Sequence, residues 1–292
     1  MTLKTIEIKF DSCNRGEWIR KISTSQAMLS NLTDNDKIVI HISPEIDSDK
    51  LEPLHLVTLA CLIQHIYDQN AHVSLSRNKG EATDYIYNRL GFKHYWTGGL
   101  NHVDATGNEN IFNLWRIVDS EKDLYARHVE NYLKQNFFHG KDLSAISVCL
   151  IEAFYNVFDH AKANGNAFSL IKFDKETGIL SVAIADFGRG IANSIRENFR
   201  DRLIKNDVDA LKLSLENSIT IKSTKHNKGL GLGNILSSVD KARIFTNYSF
   251  FIKSENQTKF SQPKFPFPGT LIYFDVDLSN LDDEEILDTF NW

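Results

Sequence analysis

Three polar residues recur at one-turn spacing in an otherwise apolar segment near the middle of the chain. Glu152, Asn156 and His160 stand at i, i+4 and i+8 within residues 143–163, whose pattern predicts one long helix. At that spacing the three side chains project from a single stripe of the helix. Such a stripe either faces solvent or lines a polar site, and both alternatives explain it equally well.

A carboxylate followed by two glycines ends an apolar strand pattern at residues 184–191 (IADFGRGI). Asp186 closes the strand, and Gly188 and Gly190 follow at two-residue spacing. Glycines let the backbone turn sharply and approach a flat ligand, and a carboxylate at a strand end can accept a hydrogen bond from an amine. A plain turn from strand to loop explains the pattern about as well.

A run of glycines at residues 228–235 (KGLGLGNI) leads directly into a predicted helix. Gly229, Gly231 and Gly233 leave backbone N–H groups free to point at one spot, where the helix dipole also favours an anion. Phosphate is therefore a suitable ligand. Alone, however, this spacing is not specific, because it differs from both the GxGxxG of dinucleotide-binding folds and the GxxxxGK[ST] of phosphate loops.

The elements that must position these residues follow from hydrophobic periodicity. In the first half, strand and helix patterns alternate, which indicates a small α/β layer structure. The strands are predicted at 1–10, 37–43 and 73–75, and the helices at 54–69 and 82–90. The second half is predicted to be α+β, with a hairpin turn at 174–178. Its helices are predicted at 121–138, 143–163 and 230–241, and its strands at 167–173, 179–185, 242–246 and 271–276.

Length and composition indicate a folded chain of two domains. The 292 residues are about twice the usual domain length of roughly 150 residues. Hydrophobic residues make up 42% and charged residues 24%, which excludes a disordered or fibrous protein. Residues 98–110 are rich in Gly, Asn and Asp and are predicted to form a linker. We therefore expect domains at 1–110 and 111–280, followed by an acidic tail at 281–292.

Charge and cysteine content limit the environment and the partners. Lys and Arg total 33 against 38 Asp and Glu, a net charge of −5, which disfavours nucleic acid or an anionic membrane as the main ligand. Cys13, Cys61 and Cys149 form no CxxC pair, so a disulfide framework or thiolate metal site is not expected. No run of about 18 apolar residues predicts a membrane span. We expect a cytoplasmic protein.

Taken together and in order, the motifs resemble the nucleotide-binding domain of the GHKL superfamily, which includes gyrase, a heat-shock chaperone, histidine kinases and MutL. The resemblance covers residues 121–277 and includes Gly269 and Thr270, which open the last strand. It is closest to the bacterial anti-sigma serine kinases. It implies the Bergerat fold, an α/β sandwich with helices on one face of a mixed, mainly antiparallel sheet. It also implies Mg²⁺ and ATP as ligands.

The resemblance gives the helix residues specific roles. Asn156 matches the asparagine that helps hold Mg²⁺ against the triphosphate. Glu152, one turn earlier, matches the glutamate that acts as general base on the attacking water or hydroxyl. His160 matches a histidine often found in the anti-sigma group, although a structural role suits it equally well.

The strand and loop residues match the nucleotide contacts of the family. Asp186 corresponds to the aspartate that accepts from the adenine amino group, and Thr270 would reach the adenine edge directly or through water. The remaining nucleotide contacts are glycines and one lysine. Gly188 and Gly190 would line the base, and the phosphates would be wrapped by Lys228, Gly229, Gly231 and Gly233.

The first half resembles the STAS domains of anti-sigma antagonists, modules that bind protein partners. The combination implies a signalling switch in which a lid at 193–228 covers Mg-ATP and Glu152 assists hydrolysis or phosphotransfer. Family habit also implies a homodimer. Neither His128 nor His139 lies in the sequence pattern of a phosphoacceptor histidine, so autophosphorylation on histidine is not expected.

Two alternatives remain open. In the first, the chain is a protein serine/threonine kinase that acts on a STAS-like partner or on its own first half, where Ser43 and Ser48 lie near a helix start. In the second, the chain is a non-enzymatic module in which bound ATP only recruits a protein partner or effector.

Overall fold

The computed structural model of the protein describes residues 4–34, 36–76, 80–97, 111–163, 165–199, 204–216, 232–233, 236, 239–254 and 257–283. The predicted linker at 98–110, most of the glycine run at 228–231 and the acidic residues 284–292 lie outside this part of the chain. The predictions made for those three segments therefore stay predictions.

The first half of the chain forms a small parallel sheet with two long helices. Its strands are β1 (Thr5–Phe10), β2 (Lys37–Ile42) and β3 (His72–Leu75), in the spatial order β1-β2-β3. Helix α1 (Arg15–Met28) connects the first two strands, and helix α2 (Pro53–Asp68) connects the second and third. Two shorter helices follow, α3 (Glu81–Asp84) and α4 (Phe92–Thr97). The predicted alternation of strand and helix is confirmed.

Helix α2 is buried on almost every side. Its start is well defined, because Pro53 occupies the first helical position and the Glu52 N–H donates to His55 Nδ1 at 2.9 Å. His55 Nε2 lies 2.9 Å from the Cys13 carbonyl oxygen, and burial lowers the pKa of His55 to about 4, so its ring is a neutral donor to that oxygen. A helix that is apolar all round needs cover on two sides.

The second half forms a larger sheet in the order β4-β5-β6-β10-β7-β8-β9. Every pair of neighbouring strands in this sheet is antiparallel, so the expectation of a mixed sheet is wrong. The seven strands are β4 (Ile111–Arg116), β5 (Ala167–Asp174), β6 (Ile179–Asp186), β7 (Lys241–Asn247), β8 (Ser249–Ser254), β9 (Gln257–Ser261) and β10 (Phe267–Asp277). The predicted helix at 230–241 extends too far, because Lys241 begins β7.

In the described part of the second half, four further helices have defined bounds. They are α5 (Lys122–Asn136), α6 (Ser144–Asn156), α7 (Gly190–Asn198) and α8 (Asp207–Ser214). Helices α5 and α6 pack on each other and on one face of the large sheet, where they share an apolar cluster with β4–β8 and β10. The predicted helix at 143–163 ends earlier as an α-helix, because a π-helical turn occupies Val157–Ala161.

The opposite face of the large sheet is covered by the first half of the chain. Helix α2 contacts β5, β6 and β10 on one side and β3 on the other, and α1 contacts β1 and β10. One apolar cluster therefore joins the small sheet, α1, α2 and the back of the large sheet. The helices α5 and α6 of the second half lie on one face of the large sheet, as expected, and the helices of the first half cover the other face.

The described helices include none that is both long and apolar enough to span a bilayer.

The structure is a stack of four layers, in the order small sheet, α1 with α2, large sheet, and α5 with α6. Whether the boundary near residue 110 separates two domains stays a prediction, and the layers on either side share a continuous apolar core.

We predict that Leu62→Ala in α2 loosens both sheets together. Leu62 is fully buried in the shared cluster, so the change should lower the free energy of unfolding by about 3 kcal/mol. Hydrogen exchange measured by mass spectrometry should then accelerate in β2 and β6 alike. The control is Leu124→Ala on α5, where the residue is 70% exposed. This change should alter neither the free energy of unfolding nor the exchange rates. Faster exchange in β2 alone would contradict a shared core.

Candidate functional site

Asp186 is a buried carboxylate at the last position of β6. Its residue is only 3% exposed, and its Oδ1 accepts the Gly188 N–H at 2.8 Å. The Thr270 backbone N–H also donates to this carboxylate. Two backbone donors leave part of the acceptor capacity of a carboxylate unused. The group can therefore still accept from a ligand.

Burial makes the charged form of Asp186 costly. Loss of water raises the pKa of Asp186 to about 7, although the hydrogen bonds from the Gly188 and Thr270 backbones act in the opposite direction. Within the described part of the chain, no Lys or Arg pairs with it. A buried acid that titrates near neutrality without a cation is a common property of functional sites.

Asp186 lies in a polar row across one end of the large sheet. Thr270 of β10 pairs with Asp186 on one side and with Thr246 of β7 on the other. Residues two positions apart share a face, and Ile184, Ile272 and Ile244 belong to the cluster under α5 and α6. The carboxylate and both hydroxyls therefore face the α5–α6 side of the sheet, and the two Oγ1 atoms lie 3.4 Å apart.

The glycines around Asp186 are required by contacts within the protein. A Cβ at Gly188 would lie 2.2 Å from the Ala161 carbonyl oxygen, and a Cβ at Gly269 would lie 2.1 Å from the Asp186 carbonyl oxygen. Gly190 has a φ of +76°, and its Cβ would lie 2.3 Å from Asn247 Oδ1. Close packing of the chain on itself thus explains Gly188 and Gly190 without a ligand, whereas the resemblance to GHKL proteins implies that they line the adenine base.

The start of α7 is fixed by the end of β7. Thr246 Oγ1 accepts the Ile191 N–H at 2.9 Å and donates to the Gly269 carbonyl oxygen at 2.9 Å. Asn247 Oδ1 accepts the Ala192 N–H at 3.2 Å, which satisfies another free donor of the first helical turn. The N-terminus of α7 is therefore capped by protein groups and is not available to a phosphate.

Glu152 and Asn156 both lie on α6, as the helical pattern predicts, and both are half-buried. Asn156 Nδ2 donates to the Glu152 carbonyl oxygen at 2.9 Å. A π-helical turn occupies Val157–Ala161, so the regular α-helical spacing ends after Asn156. The side chain of His160 lies outside the described part of the structure.

The two predicted motifs meet at the end of this helix. The Arg189 N–H donates to the Ala161 carbonyl oxygen at 2.7 Å, and α7 packs against the π-helical turn. The helix that carries Glu152 and Asn156 thus ends beside the loop that follows Asp186. This arrangement brings the helix residues and the strand residues to the same side of the sheet.

Most of the residues predicted to bind phosphate lie outside the described part of the chain. Lys228, Gly229 and Gly231 lie outside the described residues, and Gly233 lies in a short helical stretch with Leu232. Among the described side chains, no three His, Cys, Asp or Glu residues cluster as metal ligands.

The sequence analysis did not identify several residues that lie far from Asp186 in the sequence but hold the backbone segments around it. Thr246 and Asn247 end β7, and Asn166 precedes β5 with its residue 3% exposed. Cys61 of α2 contacts the Ala185 carbonyl oxygen through its Sγ at 3.4 Å. Asn247 is a residue type that favours turns, but the sequence does not show which distant backbone group its side chain hydrogen-bonds.

We predict that Gly190→Ala destabilises the fold more than Gly140→Ala. Both glycines have a positive φ, +76° and +71°, so the backbone strain is similar. Nothing lies within 4 Å of a Cβ at Gly140. We expect a loss of about 1 kcal/mol for Gly140→Ala and about 3 kcal/mol for Gly190→Ala, measured by urea unfolding. Equal losses would show that the contact with Asn247 is easily relieved.

We also predict that Asp186→Asn stabilises the protein at pH 8. The folded state holds the Asp186 proton more tightly than the unfolded state, so this group's stabilising contribution is lost as the pH rises from about 4 to about 7. Asparagine carries no charge and should be more stable than wild type by about 4 kcal/mol at pH 8 and nearly equal at pH 4. Urea unfolding at both pH values measures the difference. Asp11→Asn, at an exposed position, is the control, and a pH-independent difference for Asp186→Asn would contradict the assignment.

No protein-family model matches this chain, and no curated protein matches it in sequence. The resemblance to GHKL ATPases therefore stays a prediction, and any function must be argued from the geometry around Asp186.

Proposed function

We propose that this protein binds Mg-ATP on the α5–α6 side of the large sheet and acts as a GHKL-type ATPase or kinase in a regulatory switch. The observation that supports this most is the buried Asp186 carboxylate, which has two backbone donors and no described cation. Asp186 would accept from the adenine amino group, and Thr270, its strand neighbour, would bind the base edge.

The stability that the protein loses by burying Asp186 without a counter-charge supports a role for this residue in ligand binding. Burying an ionisable group without a counter-charge destabilises a protein, and such groups are concentrated at functional sites. A neutral amino group is a suitable partner, because it donates a hydrogen bond to the carboxylate without placing a second buried charge beside it. An adenine ring also presents a flat apolar surface, which would lie against the sheet beside Asp186.

The side-chain oxygen that Asn156 of α6 offers fits an Mg²⁺ ion held mainly by the phosphates of a bound nucleotide. Because Asn156 Nδ2 bonds to its own helix, the carboxamide oxygen is the atom that Mg²⁺ would take. Mg²⁺ in proteins commonly uses one or two side-chain oxygens together with phosphates and water. The residues proposed to bind the phosphates are Lys228, Gly229, Gly231 and Gly233.

Glu152 is proposed as the general base. It stands one helical turn before Asn156 and is half-buried, so its carboxylate shares the stripe that would face the phosphates. A bound ATP supplies the phosphoryl group, and the role of Glu152 is to take the proton of the attacking water or hydroxyl.

Phosphorylation of the chain's own Ser48 is not favoured. Ser48 is 5% exposed, and its hydroxyl donates to Glu81 Oε1 at 3.0 Å. A kinase activity would therefore act on Ser43 or on a separate STAS-like partner. The non-enzymatic alternative, in which ATP only recruits a partner, differs by leaving ATP intact.

Binding and turnover by two variants test this proposal. We expect Asp186→Asn to raise the Kd for Mg-ATP at least about tenfold, because a hydrogen bond to a charged acceptor is lost. Glu152→Gln should keep the Kd within about twofold and lower the rate of phosphate release or transfer about 100-fold. Calorimetry measures the first, and radiolabelled ATP with a STAS-like substrate protein present measures the second.

The matched controls are Asp11→Asn and Glu176→Gln, both at exposed positions. An unchanged Kd in Asp186→Asn would reject the base site. Binding without any turnover in the wild type would favour the ATP-gated interaction module over an enzyme.

A further inference from the structure

Three hydrogen bonds form a closed circuit around the backbone of Asp186. The Cys61 Sγ–H donates to the Ala185 carbonyl oxygen at 3.4 Å. Asn166 Nδ2 donates to the Cys61 carbonyl oxygen at 3.0 Å, and the Phe187 N–H donates to the Asn166 carbonyl oxygen at 3.1 Å. The circuit thus joins α2, the start of β5 and the residues on both sides of Asp186.

The circuit is shielded from water. Cys61 is fully buried, and Asn166 is 3% exposed. Burial and, to a smaller extent, the charge of Asp186 hold the pKa of the Cys61 thiol well above its usual range, so the thiol keeps the proton that it donates. Hydrogen bonds in such a setting are stronger than at the surface, and a lost partner leaves a buried group unsatisfied.

The position of Asp186 makes it sensitive to this circuit. It is the last residue of β6 in the sheet register, so beyond it the chain is no longer held by strand pairing. The next residue, Phe187, adds a second contact with α2 to the one at Ala185, because its ring centroid lies 6.1 Å from that of His65. A movement of α2 would therefore move the backbone on both sides of the carboxylate.

We propose that α2 sets the nucleotide affinity of the site by positioning Asp186, with Cys61 and Asn166 as the positioning residues. This inference rests on the proposed function and adds its regulation: a ligand or partner that displaces α2 changes nucleotide binding. The first half of the chain then takes part in controlling the site.

Nucleotide affinity in four variants tests the proposal. We expect Asn166→Ala to raise the Kd for Mg-ATP about fivefold and Cys61→Ala to raise it less, because a thiol is a weak donor. Cys61→Ser, whose hydroxyl can donate to the same oxygen, should restore most of the affinity. The control is Thr58→Val, which lies on the same helix, is fully buried and loses a hydrogen bond from Trp18 Nε1 without contacting the circuit.

A second measurement does not depend on nucleotide. Hydrogen exchange at the Phe187 and Gly188 amides should accelerate at least about fivefold in Asn166→Ala and stay unchanged in Thr58→Val. Equal Kd values in Asn166→Ala and Thr58→Val, with tight wild-type binding, would overturn the positioning role and leave the proposed function intact. A wild-type protein that does not bind Mg-ATP would reject the proposed function, and unchanged exchange in Asn166→Ala would separately reject the link to α2.

Discussion

The burial of α2 between two sheets is the constraint on which the rest of the structure depends. The helix is apolar on nearly all sides, so neither sheet alone can remove it from water. Its contacts with β3 on one side and with β5, β6 and β10 on the other make one core out of two sheets. Stability in one half of the chain is thereby linked to stability in the other.

The same packing explains how a costly carboxylate is tolerated. Asp186 is buried without a counter-charge at a cost to stability, and the backbone around it is fixed by contacts from Gly188, Gly269 and Asn166. These contacts leave no room for side chains at the glycines and little freedom for the loop. A pre-organised acceptor of this kind binds a ligand without first having to be ordered, which preserves binding free energy.

Strong periodic patterns were predicted well, and weak ones were missed. The apolar runs of β2, β5 and β6, the hairpin between the last two, and α2 were predicted from the sequence nearly to their ends. Helix α1 was not predicted, because its buried face includes Ser23 and Ser25 beside Trp18 and Ile22. Strands β8 and β9 were also missed, since half-exposed and charged residues interrupt their alternation. Local pattern records burial on one face and cannot record a partner that lies far away in the chain.

The sequence by itself determined the fold class, the strand that ends at Asp186 and the helix that carries Glu152 and Asn156, because these follow from local periodicity and residue type. The tertiary structure alone decided that the large sheet is antiparallel and covered on both faces, and that Gly188 and Gly190 are required by Ala161 and Asn247. It alone placed Cys61 beside Ala185, 124 residues away. Such contacts depend on how layers stack in three dimensions, and the sequence around one residue does not identify the other as its partner.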